Sequence, residues 1–255
     1  MCSIFGYIRR RPDSPFPLET LERIVAANID RGPHAFGLAW VDAAGQLCSL
    51  KRPGRFTDNL HQLKRAAGCV MLVGHLRWAT HGSPSDNRNN HPHPIDDGLL
   101  VHNGIVRNYE DLVAAHGLAT ASECDSEAIG LLAERLDGSR ARRLAGAVNM
   151  TEGCLAVLGI WSGPSRIIAA RRGNPLQVAD TPHAKFLATR LAGCGLGKVY
   201  DVNDSTVADY TFTRTGALHV ALSTLEADTH HQLPPDRGGR RLPAGAGRQS
   251  QYAGG

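Results

Sequence analysis

VMLVGHLRWATHG, residues 70–82, changes character part-way: four apolar residues in a row give way to a stretch dense in polar side chains. An apolar run that does not alternate reads as a strand buried on both faces, so each side of it must be covered. Similar runs, apolar or β-branched and bounded by Gly and polar residues, recur at 36–41, 99–102, 155–161 and 167–170. Between them lie helical patterns. Leu18, Leu21, Ile24, Val25 and Ile29 fall on one face of a helix over 18–31. Asn108 is placed to cap a helix that stops at Gly117, and Ser122 or Asp125 to open another that stops near Gly138. A third helix is expected over 139–148. Strands on either side of a block of helices point to layers of sheet covered by helices, in an α+β or α/β arrangement.

A chain of 255 residues makes one large domain or two small ones. Hydrophobic residues are 42% and charged residues 20%, ordinary globular usage that excludes wholesale disorder and a fibrous repeat. With 28 Lys+Arg against 24 Asp+Glu, the net charge of +4 is too small to imply nucleic acid binding. No apolar run approaches the roughly 18 residues of a membrane span, and no charged leader opens the chain. A soluble, unexported, cytoplasmic protein is expected, with no membrane partner. The six cysteines, at 2, 48, 69, 124, 154 and 194, form no CxxC pair, which suits neither a disulfide scaffold nor a zinc site. All but Cys2 are expected to be small buried hydrophobes. Residues 233–255 are rich in Gly, Pro and Arg and are expected to be a disordered tail.

Chemistry concentrates in four places. Removal of the initiator Met, expected before a small residue, would leave Cys2 with both a thiol and a free α-amine. That amine titrates near the physiological range and can take the thiol proton. In residues 74–82, Arg77 can grip a carboxylate through two parallel hydrogen bonds, and Thr80 and His81 can orient a small polar ligand. Asn103-Gly104 is either a turn or an oxyanion hole made of a side-chain amide and a backbone N–H. Asp125 is either a helix cap or a partner for an ammonium group. A metal is not expected, although His75, His81, His91, His93 and His102 cluster, because no i, i+4 pair or acidic ligand motif accompanies them.

Taken in order, CSIFGYI, DRGPHAFGLAW, GHLRWATHG, NNHPH, LVHNGIVRNYEDL, CDSEAI and AARRGNPL resemble the glutaminase domain of the class II, N-terminal nucleophile, glutamine amidotransferases. The nearest likeness is to the glutaminase half of glucosamine-6-phosphate synthase, and RGP at 31–33 is similar to asparagine synthetase. The likeness covers residues 2–220. It implies an α+β fold, a four-layer αββα sandwich, and hydrolysis of the side-chain amide of L-glutamine without a cofactor. Cys2 would be the nucleophile, forming a glutamyl thioester. Asn103 and Gly104 would make the oxyanion hole. Arg77 would bind the substrate α-carboxylate and Asp125 its α-ammonium, with Trp78, Thr80 and His81 lining the pocket and Arg31 supporting the nucleophile.

Two departures stand out. Ser3 replaces the usual Gly after the nucleophile, and Ala188-Thr189-Arg190 stands where a Ser-Asp pair is common. No segment reads as an ammonia-using synthase, so a separate acceptor subunit is expected, or a free-standing glutaminase. The alternatives are a catalytically inactive glutamine-binding or regulatory subunit of the same fold, and an N-terminal nucleophile hydrolase acting on another amide.

Overall fold

A computed structural model of the chain describes residues 2–225 apart from 12 and 214. In chain order the strands are β1 (Ser3–Arg9), β2 (Ala35–Val41), β3 (Leu47–Pro53), β4 (Met71–Arg77), β5 (His93–Ile95), β6 (Gly98–Gly104), β7 (Leu155–Trp161), β8 (Arg166–Arg172), β9 (Gln177–Asp180), β10 (Ala184–Ala188), β11 (Val199–Asp201), β12 (Thr206–Phe212) and β13 (Leu218–Thr224). The helices are α1 (Leu18–Asn28), α2 (Tyr109–His116), α3 (Ser126–Arg135) and α4 (Arg140–Met150).

Alternation along each central strand decides which layer each side chain joins. Phe5 and Tyr7 of β1 point outward to pack with Leu21, Ile24 and Val25 of α1 and with Phe56 and Leu63 of the 3-10 stretch Phe56–Ala66. Ile4 and Ile8 point the other way, onto Val101, Ala156 and Leu158 of the facing sheet. In β7 the parity repeats: Leu155, Val157 and Trp161 meet Ile129, Leu132 and Leu144 of the helices, while Ala156, Leu158 and Ile160 face β1 and β4. The result is four layers: α1, a seven-stranded sheet in the order β11-β9-β10-β1-β4-β2-β3, a six-stranded sheet in the order β13-β12-β8-β7-β6-β5, and α2–α4. Every strand pairing within the two sheets is antiparallel. Strand pairing thus settles the open choice as α+β, the αββα sandwich. Fully burying a side chain such as Phe5 or Leu158 contributes roughly 1.5–3 kcal/mol, and three such clusters hold the layers together.

The helix ends follow local chemistry, with corrections. Gly117 closes α2 in the left-handed conformation, as expected. Ser139 caps α4, its hydroxyl accepting from Arg142 N. Asn108 sits at the start of α2 but does not cap it. Its amide donates to Met150 O and its carbonyl accepts from Glu152 N, tying α2 to the turn after α4. Asp125 precedes α3 without capping it, because its carboxylate is drawn away to Val106 N. Glu127 gathers the preceding turn instead, accepting from Ala121 N, Ser122 N and Ser122 Oγ. Among the described residues no helix is long and apolar enough to cross a membrane. The expected tail, 233–255, lies outside the described residues.

Candidate active site

Five strand ends meet at one end of the sandwich. Pairing of Ser3 with Leu76 sets the start of β1 beside the end of β4, and pairing of Gly104 with Leu155 sets the end of β6 beside the start of β7. β8 ends next to them, since Arg171 pairs with Ala156. By parity Cys2 lies on the same side of its chain as Ile4, and Asn103 on the same side as Val101, so both turn into the space between the sheets. There they line a cavity of about 270 Å³ together with Trp78, Thr80, Gly104, Ile105, Arg107, Cys154 and Asn174. That size suits a single small ligand.

Cys2 is half-buried. Trp78 N donates to its Sγ at 3.3 Å, and the thiol donates to Trp78 O at 3.5 Å. Arg31 Nε donates to Cys2 O at 3.3 Å, a contact to the backbone beside the thiol. Burial pushes the Cys2 thiol above its ordinary value. The Trp78 N–H first, and with smaller weight the charge of Arg77, pull the other way, and Asp125 adds to the rise. His34 holds the Trp78 turn, its Nδ1 accepting from Ala79 N at 3.1 Å.

Asn103 is fully buried and its Oδ1 has no partner, while its Nδ2 lies 3.5 Å from Thr189 Oγ1. Thr189, noted in the sequence only as a departure, also accepts from Ile4 N, so its hydroxyl bridges β1 and the Asn103 amide. Asn103-Gly104 is not a hairpin turn; it closes β6. A Cβ at Gly104 would come 2.5 Å from Cys154 O and 2.6 Å from His102 Nε2, so the backbone fits there only as glycine. Ser3, the other departure, stays out of the cavity. Its hydroxyl donates to Asn28 Oδ1 at 2.8 Å, and Asn28 in turn donates to Ile24 O and Arg190 O, all on the α1 side of the sheet.

Thr80 and Trp78 therefore join Cys2, Asn103 and Gly104 at the cavity, and Arg31 touches the Cys2 backbone. Arg77, His81 and Asp125 are placed differently. Arg77 is buried, its guanidinium donating to Asn90 Oδ1 at 2.8 Å, to Gly82 O at 3.0 Å and to His81 O. Asp125 is buried, accepting from Val106 N at 2.7 Å. The exposed His81 ring meets Thr80 Oγ1. None of these three lines the cavity.

Ile105, Arg107, Cys154 and Asn174 are lining residues that sequence reasoning missed. Ile105 and Arg107 stood inside the LVHNGIVRNYEDL motif and Asn174 inside AARRGNPL, the available signals; nothing marked Cys154. Cys154 is exposed and Cys48 half-buried, which corrects the expectation that both are buried; Cys69, Cys124 and Cys194 are buried, and all six cysteines are free. Beside the site, His75, His91, His93 and His102 are buried, and burial holds all four imidazoles below their ordinary value, His75 at about 3.

No family model matches the chain. Over 186 residues, 70% of this chain, it is 39% identical to the glutamine–fructose-6-phosphate aminotransferase (isomerizing) of Symbiobacterium thermophilum. Over 208 residues, 75% of the chain, it is 36% identical to the enzyme of that name from Chlorobaculum tepidum. The chain carries a class II glutamine amidotransferase domain. Its match spans 30% of the first of these relatives and 33% of the second, about a third of their length. The amidotransferase fold recurs in glutamine phosphoribosylpyrophosphate amidotransferase from B. subtilis, with a TM-score of 0.70 at 18% identity over 88% of this chain and 49% of that one. It recurs too in a glutamine aminotransferase class-II domain protein from Silicibacter pomeroyi, with a TM-score of 0.58 at 16% identity over 88% of this chain and 98% of that one.

Proposed function

We propose that this amidotransferase domain hydrolyses the side-chain amide of L-glutamine to glutamate and ammonia. The observation that carries the reading is the meeting of Cys2, Asn103 and Gly104 on one small cavity. Sγ of Cys2 attacks the amide carbon, and the thiol proton passes to the α-amine of a chain that begins at Cys2. The carbonyl oxygen becomes an oxyanion that accepts from Asn103 Nδ2 and Gly104 N, two donors whose positions are fixed before substrate arrives. The ammonium at the terminus then protonates the leaving nitrogen, ammonia departs, and water cleaves the resulting thioester to glutamate. No other base is required.

In this reading Arg77 binds the substrate α-carboxylate and Asp125 its α-ammonium. Arg77 would exchange its bonds to the 81–82 carbonyls for the carboxylate as that turn moves over the ligand. The ammonia goes to an acceptor active site outside residues 2–220, in a separate subunit. Support for this last step comes from relatives whose names describe transfer of an amino group to a sugar phosphate and of which this chain matches a third.

Intact-mass measurement and a glutamate-release assay test the core of the reading. The mature chain should begin at Cys2, and Cys2→Ala should abolish release while leaving the circular dichroism spectrum unchanged. An active preparation that retains Met1 would overturn the proton route, and a folded, glutamine-binding wild-type chain without turnover would favour the regulatory alternative.

A further inference from the structure

Behind the cavity wall the fold gathers side chains that the hydrolysis does not use. His91, on the segment entering β5, His93, the first residue of that strand, and Cys124, just before α3, are each more than nine-tenths buried, and their ligand atoms all lie within 4.8 Å of one another. The rings are set against each other: His91 stacks on His75 with centroids 3.8 Å apart and meets His93 edge-on at 4.6 Å. Neither nitrogen of His91 has a hydrogen-bond partner, nor does Nε2 of His93. An imidazole always offers at least one lone pair or N–H at each nitrogen, and burying those without a partner is costly. The segment cannot back away, because a Cβ at Gly37 would stand 2.0 Å from His91 O: the backbones are already pressed together.

We propose that His91, His93 and Cys124 form a zinc site distinct from the Cys2 cavity. Two imidazole nitrogens and a thiolate are a donor set that zinc favours, and they leave one position of a tetrahedral shell for water. Bonds of about 2.0–2.1 Å to nitrogen and 2.3 Å to sulfur place such ligands about 3.3–3.6 Å apart, so side-chain shifts of about 1 Å close the site. The ion takes up the unpartnered nitrogens. It displaces the Cys124 thiol proton to solvent, and the thiolate that remains is neutralised by the metal. Asp125 Oδ1, 3.8 Å from Cys124 Sγ, supplies a further negative charge beside it. The site also has a structural consequence. His91 follows Asn90, which holds the Arg77 guanidinium, and Cys124 precedes Asp125, which holds Val106 N, so one ion fastens together two segments that flank the cavity.

The sequence concealed this arrangement because the third ligand is remote from the histidines and stands where a buried cysteine is an adequate hydrophobe. The test is metal content of the full, tag-free chain by mass spectrometry. A one-to-one ratio of zinc is expected in wild type and in Cys2→Ser, and loss of zinc in Cys124→Ser and His93→Gln. Should those two variants fail to fold, cobalt(II) loaded into the Cys2→Ser chain gives a second readout. Intense tetrahedral visible bands with a thiolate-to-cobalt charge-transfer band are expected. A strong chelator should also lower the Tm of the zinc-bound Cys2→Ser chain. Zinc well below one per chain, cobalt spectra without the thiolate band, or a stoichiometric metal other than zinc would overturn the proposal.

Discussion

The side-chain amide of Asn174 donates to the backbone carbonyl of Asn103 at 2.8 Å, and at 3.1 Å to Cys154 O on the neighbouring strand's approach. One side chain therefore holds the end of β6 against the start of β7, beside the proposed oxyanion donors Asn103 and Gly104. Asn174→Ala leaves the buried Asn103 carbonyl and the part-buried Cys154 carbonyl without that donor, at a cost of roughly 1–3 kcal/mol. It should lower the urea midpoint and reduce kcat more than it raises KM. Asn174→Asp should be no better, since an ionised carboxylate cannot donate. Denaturation and steady-state kinetics of both variants check this, and wild-type kcat in Asn174→Ala would remove Asn174 from the argument.

The proposed oxyanion donors themselves give a sharper expectation. In the proposed mechanism Asn103→Ala removes a donor that matters mainly in the transition state, so kcat should fall by about 10²–10³ with little change in KM. Gly104→Ala keeps the N–H but adds a Cβ 2.5 Å from Cys154 O, so the backbone must turn and the N–H goes with it. A loss of kcat similar to that of Asn103→Ala is expected from glutamate-release kinetics. An active Gly104→Ala would mean that its N–H is not an oxyanion donor.

These two variants also mark what was legible in the sequence. Cys2 stood out as a thiol next to the initiator Met, and Asn103-Gly104 as a polar pair at the end of an apolar run; the three line one cavity. Asn174 acts through the carbonyls of two other strands, and nothing local to it announces them. Arg77 and Asp125 were visible as charges, but their partners, the carbonyls of His81 and Gly82 and the N–H of Val106, are backbone groups that no residue pattern specifies. The fold divides in the same way. Strands buried on both faces, such as β4 and β7, read as continuous apolar runs. The outer strands β3, β11 and β13 are partly exposed and mix Lys, Arg, Asp, His and Thr with apolar residues, so their pattern did not separate from loop.

Ionisation of the nucleophile is testable by itself. Because burial raises the Cys2 thiol above its ordinary value, the proposed mechanism needs the α-amine to take the thiol proton at the moment of attack. Alkylation of Cys2 by iodoacetamide, followed by mass spectrometry, should be slow at neutral pH. It should keep accelerating as the pH rises beyond the ordinary thiol range. A rate that is already flat at neutral pH would mean a resident thiolate and a different route for the proton.

Arg77 poses the question on which substrate recognition turns. Every bond its guanidinium makes in this structure is to the protein, so Arg77→Ala will loosen the 81–82 turn whether or not Arg77 ever touches glutamine. A raised KM for glutamine is thus expected either way and decides nothing. An analogue with the side-chain amide but no α-carboxylate separates the two roles. If the guanidinium binds the carboxylate, wild type handles the analogue poorly and Arg77→Ala lowers kcat/KM for glutamine by a much larger factor than for the analogue, which loses only what the loosened turn costs. Arg77→Lys should recover only part of the difference, because an ammonium cannot reproduce the paired donors of the guanidinium fork. We expect that selective loss. An equal loss for both substrates would make Arg77 a positioning residue for the turn, and the α-carboxylate would then need another partner at the cavity, where Arg107 is the cationic residue of the lining.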